Sequence, residues 1–385
     1  MEFAWPPEAL RFASEVSDFL DQELPDWWSI TSNTLTAGQR HFEFCRGFAE
    51  KLANRGYLMP NWPREYGGRE VSSWELYKLS EVFHTRGEPR GQHYMSANWV
   101  GPAIMRYGTA EQKSFFLPQM ASGLIQFCQG FSEPGAGSDL AAIRTRATRD
   151  GDQYAINGQK IWTSYAATAD YCVLLARTDP ASQRRDGISM LLVPTNLPGI
   201  TIRPIPNLLG IEGGEHGFCE IFFDDVRIDI SARLGAENGG WAAAMDALAF
   251  ERVGQPRFAR ALRLLDLTAE QCAQRGELED PIVAEKLGLA IAACQAARVL
   301  NYRVVDSRAR AEPPGPEGNV ARMASVQADQ LAADMVFALS PDALDDDSMA
   351  DEAMRSAMPA GHAAGSIEVN LNIIAERLLG LPRAS

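Results

Sequence analysis

The sequence predicts an α+β chain in three blocks: helical over residues 1–124, antiparallel β over 125–235, and helical again over 236–385. Three observations carry this. Apolar residues recur at helical spacing through the first third. After about residue 125, short apolar runs alternate with Gly, Pro and Asp turns, and no helix-length segment interrupts them. From about residue 236 the helical spacing returns. Strands grouped together, not alternating with helices, exclude a βαβ array.

The elements follow in order. Phe12, Val16, Phe19 and Leu20 fall on one helical face, as do Phe44, Phe48 and Leu52 in the next segment. NWPREYGG, residues 61–68, reads as a loop. Ser72 and Glu75 form a capping box ahead of Leu76, Leu79 and Phe83. In the β block, Tyr154–Trp162 reads as two short strands about an Asn157-Gly158 turn, a strong hairpin signal. YCVLLART, GISMLLVP, GITIRPI and CEIFFDDVRI are further strands. In the last block, residues 240–267 read as helical apart from Pro256, followed by a long helix from Pro281 with Leu287, Ile291 and Cys294 on one side. Residues 311–319 are a Pro/Gly loop, 326–339 a helix, 342–354 an acidic segment expected to be exposed or mobile, and the last helix runs to Gly380.

Composition narrows the function. A net charge of −14 argues against nucleic-acid binding, which needs basic surface. No apolar run approaches a membrane span, and MEFAWPPEAL lacks the basic-then-apolar order of a signal peptide. The six cysteines stand singly, without metal or redox spacing, and are expected to be reduced and buried in a cytoplasmic enzyme with no metal.

GFSEPGAGSD, residues 130–139, is the most informative stretch. It lacks the Gly-Lys-Ser/Thr ending of a phosphate loop. It lacks the third glycine and the βαβ context of a dinucleotide fingerprint. Alone, it fits a plain surface turn. Its neighbourhood is more specific. Ser-Glu-Pro, Ala-Gly-Ser-Asp, Asn-Gly-Gln-Lys-Ile-Trp, Ala-Asp and Ala-Arg-Thr follow one another between residues 132 and 178. In order and spacing this run resembles the acyl-CoA dehydrogenase family. EYGG at 65–68, YGTAEQKSFFLPQMASG at 107–123, FFDDVRI at 222–228 and NIIAERLLGLPR at 372–383 extend the likeness along nearly the whole chain.

The resemblance implies an N-terminal helical domain, a middle β-barrel or sandwich domain and a C-terminal four-helix bundle. It implies FAD, with the ring bordered by Gln129, Phe131, Ser132, Trp162, Thr163 and Ser164, and acyl-CoA contacted by Ser138. Glycine lets backbone approach a flat ring closely, and the serine hydroxyls can bond its polar edge. The implied reaction is α,β-dehydrogenation of an acyl-CoA: a carboxylate takes the α proton while the β-carbon's hydride passes to flavin N5. One family position for that carboxylate is here Ala364, which cannot act as a base. The other lies in a Leu-x-x-Glu-Arg pattern, which LAFERV fills with Glu251 as base and Arg252 beside the substrate; Glu368 is a weaker alternative.

The likeness breaks at two flavin motifs. Where the family carries Arg-x-x-Phe-Gly, this chain has Arg275 without Phe-Gly, and where it carries Gln-x-x-Gly-Gly, this chain reads MVFALSPDALDDD. Both motifs serve the pyrophosphate and adenine of FAD in a neighbouring subunit. RGEPRGQHYMSANWVGP at 86–102 and EHGFCEIFFDDVR at 215–227 resemble members that act on steroid side-chain or other bulky acyl-CoA esters as heterotetramers with a second acyl-CoA dehydrogenase-like subunit. A homotetramer, a flavin-poor assembly subunit and an oxygen-using relative are the alternatives. Electron-transfer flavoprotein is the implied electron acceptor.

Overall fold

A computed structural model describes residues 5–31, 39–182, 184–206, 217–251, 256–345, 348–363 and 365–382, with the side chains of 249–251 outside that description. The chain forms two compact units. One comprises Met1–Asn33, Val71–Pro89 and Glu251–Ser385, and the other Thr34–Glu70 and Arg90–Phe250. The N-terminal helices are thus shared between a helical unit and a β-containing unit.

In the first unit, helix α1 (Pro7–Glu23) buries Phe12, Val16, Phe19 and Leu20, the face that the spacing predicts. In the second unit, α2 (Gln39–Asn54) is rotated from its expected face. Phe42, Cys45, Phe48 and Leu52 are buried, while Phe44 is half-buried and stacks on Phe48. The i, i+4 ring pair mimics an inward stripe, but Phe42 and Cys45 occupy the interior. Helix α3 (Ser73–Thr85), back in the first unit, starts at the predicted capping box: Ser72 Oγ accepts from Glu75 N, and Glu75 Oε2 accepts from Ser72 N.

The β-containing unit continues through α4 (His93–Met95), a π-helical turn (Ser96–Val100), α5 (Gly101–Tyr107) and α6 (Ala110–Ala121). Trp62, fully buried, donates through Nε1 to the Ala97 carbonyl inside the π turn at 3.1 Å. Eight strands follow: β1 (Phe127–Gly130), β2 (Arg146–Asp150), β3 (Gln153–Ser164), β4 (Tyr171–Arg177), β5 (Ile188–Pro194), β6 (Ile200–Pro204), β7 (Phe218–Asp229) and β8 (Arg233–Leu234). Their order is β6-β7-β3-β2-β4-β5-β8, with β1 on β4. The sheet is mixed: β1 and β2 both pair with β4 in parallel, and the other pairings are antiparallel. This corrects the expectation of a purely antiparallel block.

The hairpin is also displaced from its strongest sequence signal. Asn157-Gly158 lies inside the single strand β3, at a register shift against β7, and the turn is Gly151-Asp152 between β2 and β3. Gly158 has φ +148°, and a Cβ there would meet Thr145 atoms at 2.6–2.8 Å. Asn157 Oδ1 accepts from Asp225 N. A glycine inside a strand marks a bulge as readily as a turn, and here close backbone packing on β2's flank decides it.

The remaining helices are α7 (Gly240–Glu251), α8 (Arg257–Gln274), α9 (Pro281–Ala309), α10 (Glu317–Leu339), α11 (Met349–Ala357) and α12 (Ile367–Ile373). In the helical unit, α8, α9 and α10 share a core with α3 that includes Tyr77, Phe258, Leu265, Leu287, Cys294 and Ala332. Helix α11 corrects the reading of 342–354 as exposed throughout. Ser348 caps it by accepting from Asp351 N, and Ala350, Glu352 and Ala353 are buried. The acidic composition hid the small residues that the helix buries. Among the described residues, no helix is long and apolar enough to cross a membrane.

Candidate active site

The stretch 130–139 is built on the end of β1 and held by two buried charges. Lys160, wholly buried on β3, donates through Nζ to the Phe131 carbonyl at 3.0 Å and to Glu133 Oε1 at 2.8 Å. The Glu133 carboxylate also accepts from the backbone N–H groups of Arg144 (2.6 Å) and Thr145 (2.9 Å). Burial works to raise the Glu133 pKa, but Lys160 and these hydrogen bonds outweigh it and hold the carboxyl below its ordinary range. Burial brings Lys160 down to about 8, with Glu133 opposing. A buried pair with its lone pairs satisfied locks geometry more than it adds stability. Here it fixes the path of residues 131–133 against β3.

Ile161 N donates to the Ser132 carbonyl, so β3 is stitched to the loop beside Trp162. At that point β3 bulges: Lys160 pairs with Ile221 and Thr163 with Cys219. The bulge places Trp162 at φ +60° and leaves its ring 55% exposed, edge-on to Phe218. Left-handed backbone in a bulky aromatic is uncommon and concentrates at functional sites. Ser132 and Ser164 are half-buried and Ser138 is exposed. Phe131 and Thr163 are buried, and Thr163 Oγ1 makes no hydrogen bond within the described residues. Gln129, Phe131, Ser132 and the Trp162–Ser164 segment thus come together along the β1–β3 edge of one unit.

Gly135 and Gly137 are informative for what they do not touch. A Cβ at either position would meet no atom within 4 Å, and neither has the positive φ that demands glycine. The fold itself does not require glycine there. Bare backbone facing open space beside an exposed tryptophan fits a flat, polar-edged ring such as the isoalloxazine of FAD. Glu133 and Lys160 are the residues to which sequence reasoning gave no role, although both stand in the quoted motifs. The signal was one charged residue beside each glycine-bearing stretch, at 134–137 and at 157–158.

Two of the sheet's single cysteines lie opposite each other. Cys128 pairs with Cys172 across β1 and β4, and Cys219 is near enough to raise the Cys128 thiol further above its ordinary pKa, after Cys172 and burial. All six cysteines are free and buried, as expected.

The residues expected around the base are placed differently. Glu251 ends α7, but its side chain, Arg252 and Ala364 lie outside the described residues. The loop flanking position 364 is held by Arg322, which donates to the Ala360 and Ala363 carbonyls, and by Asn370, which donates to Gly365 O. Glu368 is exposed in the first turn of α12. Hydrogen bonds from its own backbone N–H and from Ser366 lower its pKa, the reverse of what a general base needs. Arg275 is occupied: it donates to Glu277 and to the Leu339 carbonyl at the end of α10.

Comparison with known proteins agrees with this layout. The acyl-CoA dehydrogenase N-terminal domain model matches residues 6–124, the middle domain 128–226 and the C-terminal domain 238–379. The acyl-CoA dehydrogenase IpdE1 of Mycobacterium tuberculosis is 36% identical, over 97% of this chain and 98% of its own length. The chain belongs to the acyl-CoA dehydrogenase family. Its members are oxidoreductases that depend on FAD. The acyl-CoA dehydrogenase FadE26 of the same organism is 34% identical over 87% of each chain. Among solved structures, the Tcur3481-Tcur3483 steroid ACAD has a TM-score of 0.89 at 31% identity, covering all of both chains. The ChsE4-ChsE5 complex from Mycobacterium tuberculosis has a TM-score of 0.85 at 29% identity, again covering both chains fully.

Proposed function

We propose that this chain is the ring-side, base-carrying subunit of a FAD-dependent dehydrogenase that introduces an α,β double bond into a bulky acyl-CoA, such as a steroid-derived thioester. The observation that carries this reading is the loop at 131–137, pinned by Glu133 and Lys160 beside the bulged Trp162 and lined by glycines whose open side the fold leaves free. Gln129, Phe131, Ser132, Thr163 and Ser164 would hold the flavin ring through backbone and hydroxyl groups, with Trp162 as its apolar wall. FAD, when bound, supplies the acceptor for the β-carbon hydride.

The chain's own residues do the rest. Glu251 removes the α proton, Arg252 stands beside the substrate as a cation, and Ser138 contacts the acyl-CoA arm. Fixed N–H and O–H donors stabilise the negative charge that develops on the thioester oxygen. The reduced flavin would pass its electrons to an electron-transfer flavoprotein.

Assembly with a second, related subunit supports the adenine side. Arg275, at one of the two positions where a pyrophosphate contact is expected, is engaged by Glu277 instead, and the other position is acidic. Two structural relatives carry paired names, the Tcur3481-Tcur3483 steroid ACAD and the ChsE4-ChsE5 complex. The test is Glu251→Gln in the flavin-loaded enzyme. We expect turnover to fall by about 10²–10⁴-fold, the usual contribution of a general base, with flavin content retained. Unchanged turnover would remove Glu251 from the reaction.

A further inference from the structure

The segment 90–99, RGQHYMSANW, is buried almost throughout, yet it is rich in polar groups. Arg90, Gln92, His93 and Ser96 are at most 1% exposed, and Trp99 is 4% exposed. It runs through α4 into the π-helical turn, a rare backbone form that favours functional positions. The segment packs on the start of β1. Ser96 Oγ accepts from Phe127 N, and the Gln126 amide meets His93 Nε2 at 3.1 Å.

Buried polar groups are normally satisfied, and each orphan costs about 1–3 kcal/mol. Here five side-chain atoms, on Gln92, His93 and Trp99 and on Gln126 just before β1, make no hydrogen bond within the described residues. They are both amide atoms of Gln92, His93 Nδ1, Trp99 Nε1 and Gln126 Oε1. The Gln126 amide nitrogen can only donate, so His93 Nε2 accepts and a neutral ring carries its proton on Nδ1. That leaves three unused donors, from Gln92, His93 and Trp99, and two unused acceptors. Burial, and then the nearby Arg46, bring His93 down to about 4, so the ring is neutral at working pH. Gln126 lies three residues before Gln129. An extended chain covers about 10 Å over that interval, so Gln126 and the His93 ring that it meets lie within the reach of a fused-ring acyl group from the flavin-ring residues.

We propose that Gln92, His93 and Trp99 recognise a neutral oxygen substituent, a ketone or hydroxyl, on the ring system of the acyl group. This deepens the dehydrogenase reading and rests on it for the word acyl. A site built to hydrogen-bond a polar substituent rejects the analogue lacking it far more strongly than an apolar pocket discriminates shape. The occupant is therefore an oxygenated polycyclic thioester, not a plain hydrocarbon one.

The test uses the purified enzyme, with its partner subunit if it needs one, and two CoA thioesters of one fused-ring skeleton, with and without a ring ketone. Binding is measured by calorimetry and turnover separately, with an artificial electron acceptor. We expect the native protein to bind the ketone at least about tenfold more tightly. In Gln92→Met and in Trp99→Phe that ratio falls toward one. Because neither Gln92 amide atom is bonded within the described residues, the melting temperature of Gln92→Met is expected to hold or rise. Equal affinity of the native protein for both thioesters, binding of neither, or variants that melt earlier with the ratio intact would overturn the proposal. A ketone preference without turnover would leave it standing and overturn the dehydrogenase reading instead.

Discussion

At the scale of single residues, Lys160 and Glu133 fix the loop. Neither is a reacting group, yet together they hold the Phe131 carbonyl and two backbone N–H groups at the neck of the loop. Lys160→Met leaves the Glu133 carboxylate buried without its cation. We expect a loss of about 3–5 kcal/mol in denaturant unfolding, with flavin lost alongside. Adding Glu133→Gln is expected to recover part of the stability. Gly135→Ala separates structure from binding. The fold leaves that position open, so stability should stay within about 0.5 kcal/mol while flavin occupancy falls. A fall in stability equal to that of a core variant would show that the loop is merely structural. His93 makes a pH prediction. Its folded pKa, about 4, lies below that of the unfolded chain, so the unfolded state takes up the extra proton between roughly pH 6.5 and 4. Stability is therefore full above that window and declines by about 3 kcal/mol as the pH falls through it. His93→Gln should flatten that limb in urea titrations at stepped pH, and an unchanged slope would assign it elsewhere.

At the scale of elements, the helices were legible and the sheet was less so. Helix faces follow from 3.6-residue spacing within one segment, and α1 and α3 appear where Phe12, Val16, Ser72 and Glu75 place them. Strand pairing joins distant segments, so local signals leave it open. Asn157-Gly158 looked like a hairpin turn, but in the fold its glycine admits Thr145 across the bulge. Gly158→Ala would force a side chain into that contact at positive φ. We expect a loss of about 1–3 kcal/mol, read from the thermal or urea midpoint. A neutral substitution would mean that β2 and β3 can part at no cost. The parallel pairing of β1 with β4 had no local signature either, because the two strands lie over forty residues apart.

At the scale of the whole molecule, the family was legible from the motif order between residues 132 and 178. What the sequence left unread was a buried ion pair whose members are 27 residues apart, and polar side chains on 92–99 that make no hydrogen bond among the described residues. The split-site reading belongs to this scale, since Arg275 is spent on Glu277 within the chain. The most direct measurement is the visible absorption spectrum of the chain purified alone and after co-expression with a related subunit, followed by anaerobic addition of a steroid-type acyl-CoA. We expect stoichiometric flavin only in the co-expressed complex, bleached by the thioester in the native protein and not in Glu251→Gln. A complex that holds no flavin, or flavin that the thioester fails to bleach, would contradict the assignment of this chain as the ring-side, base-carrying subunit.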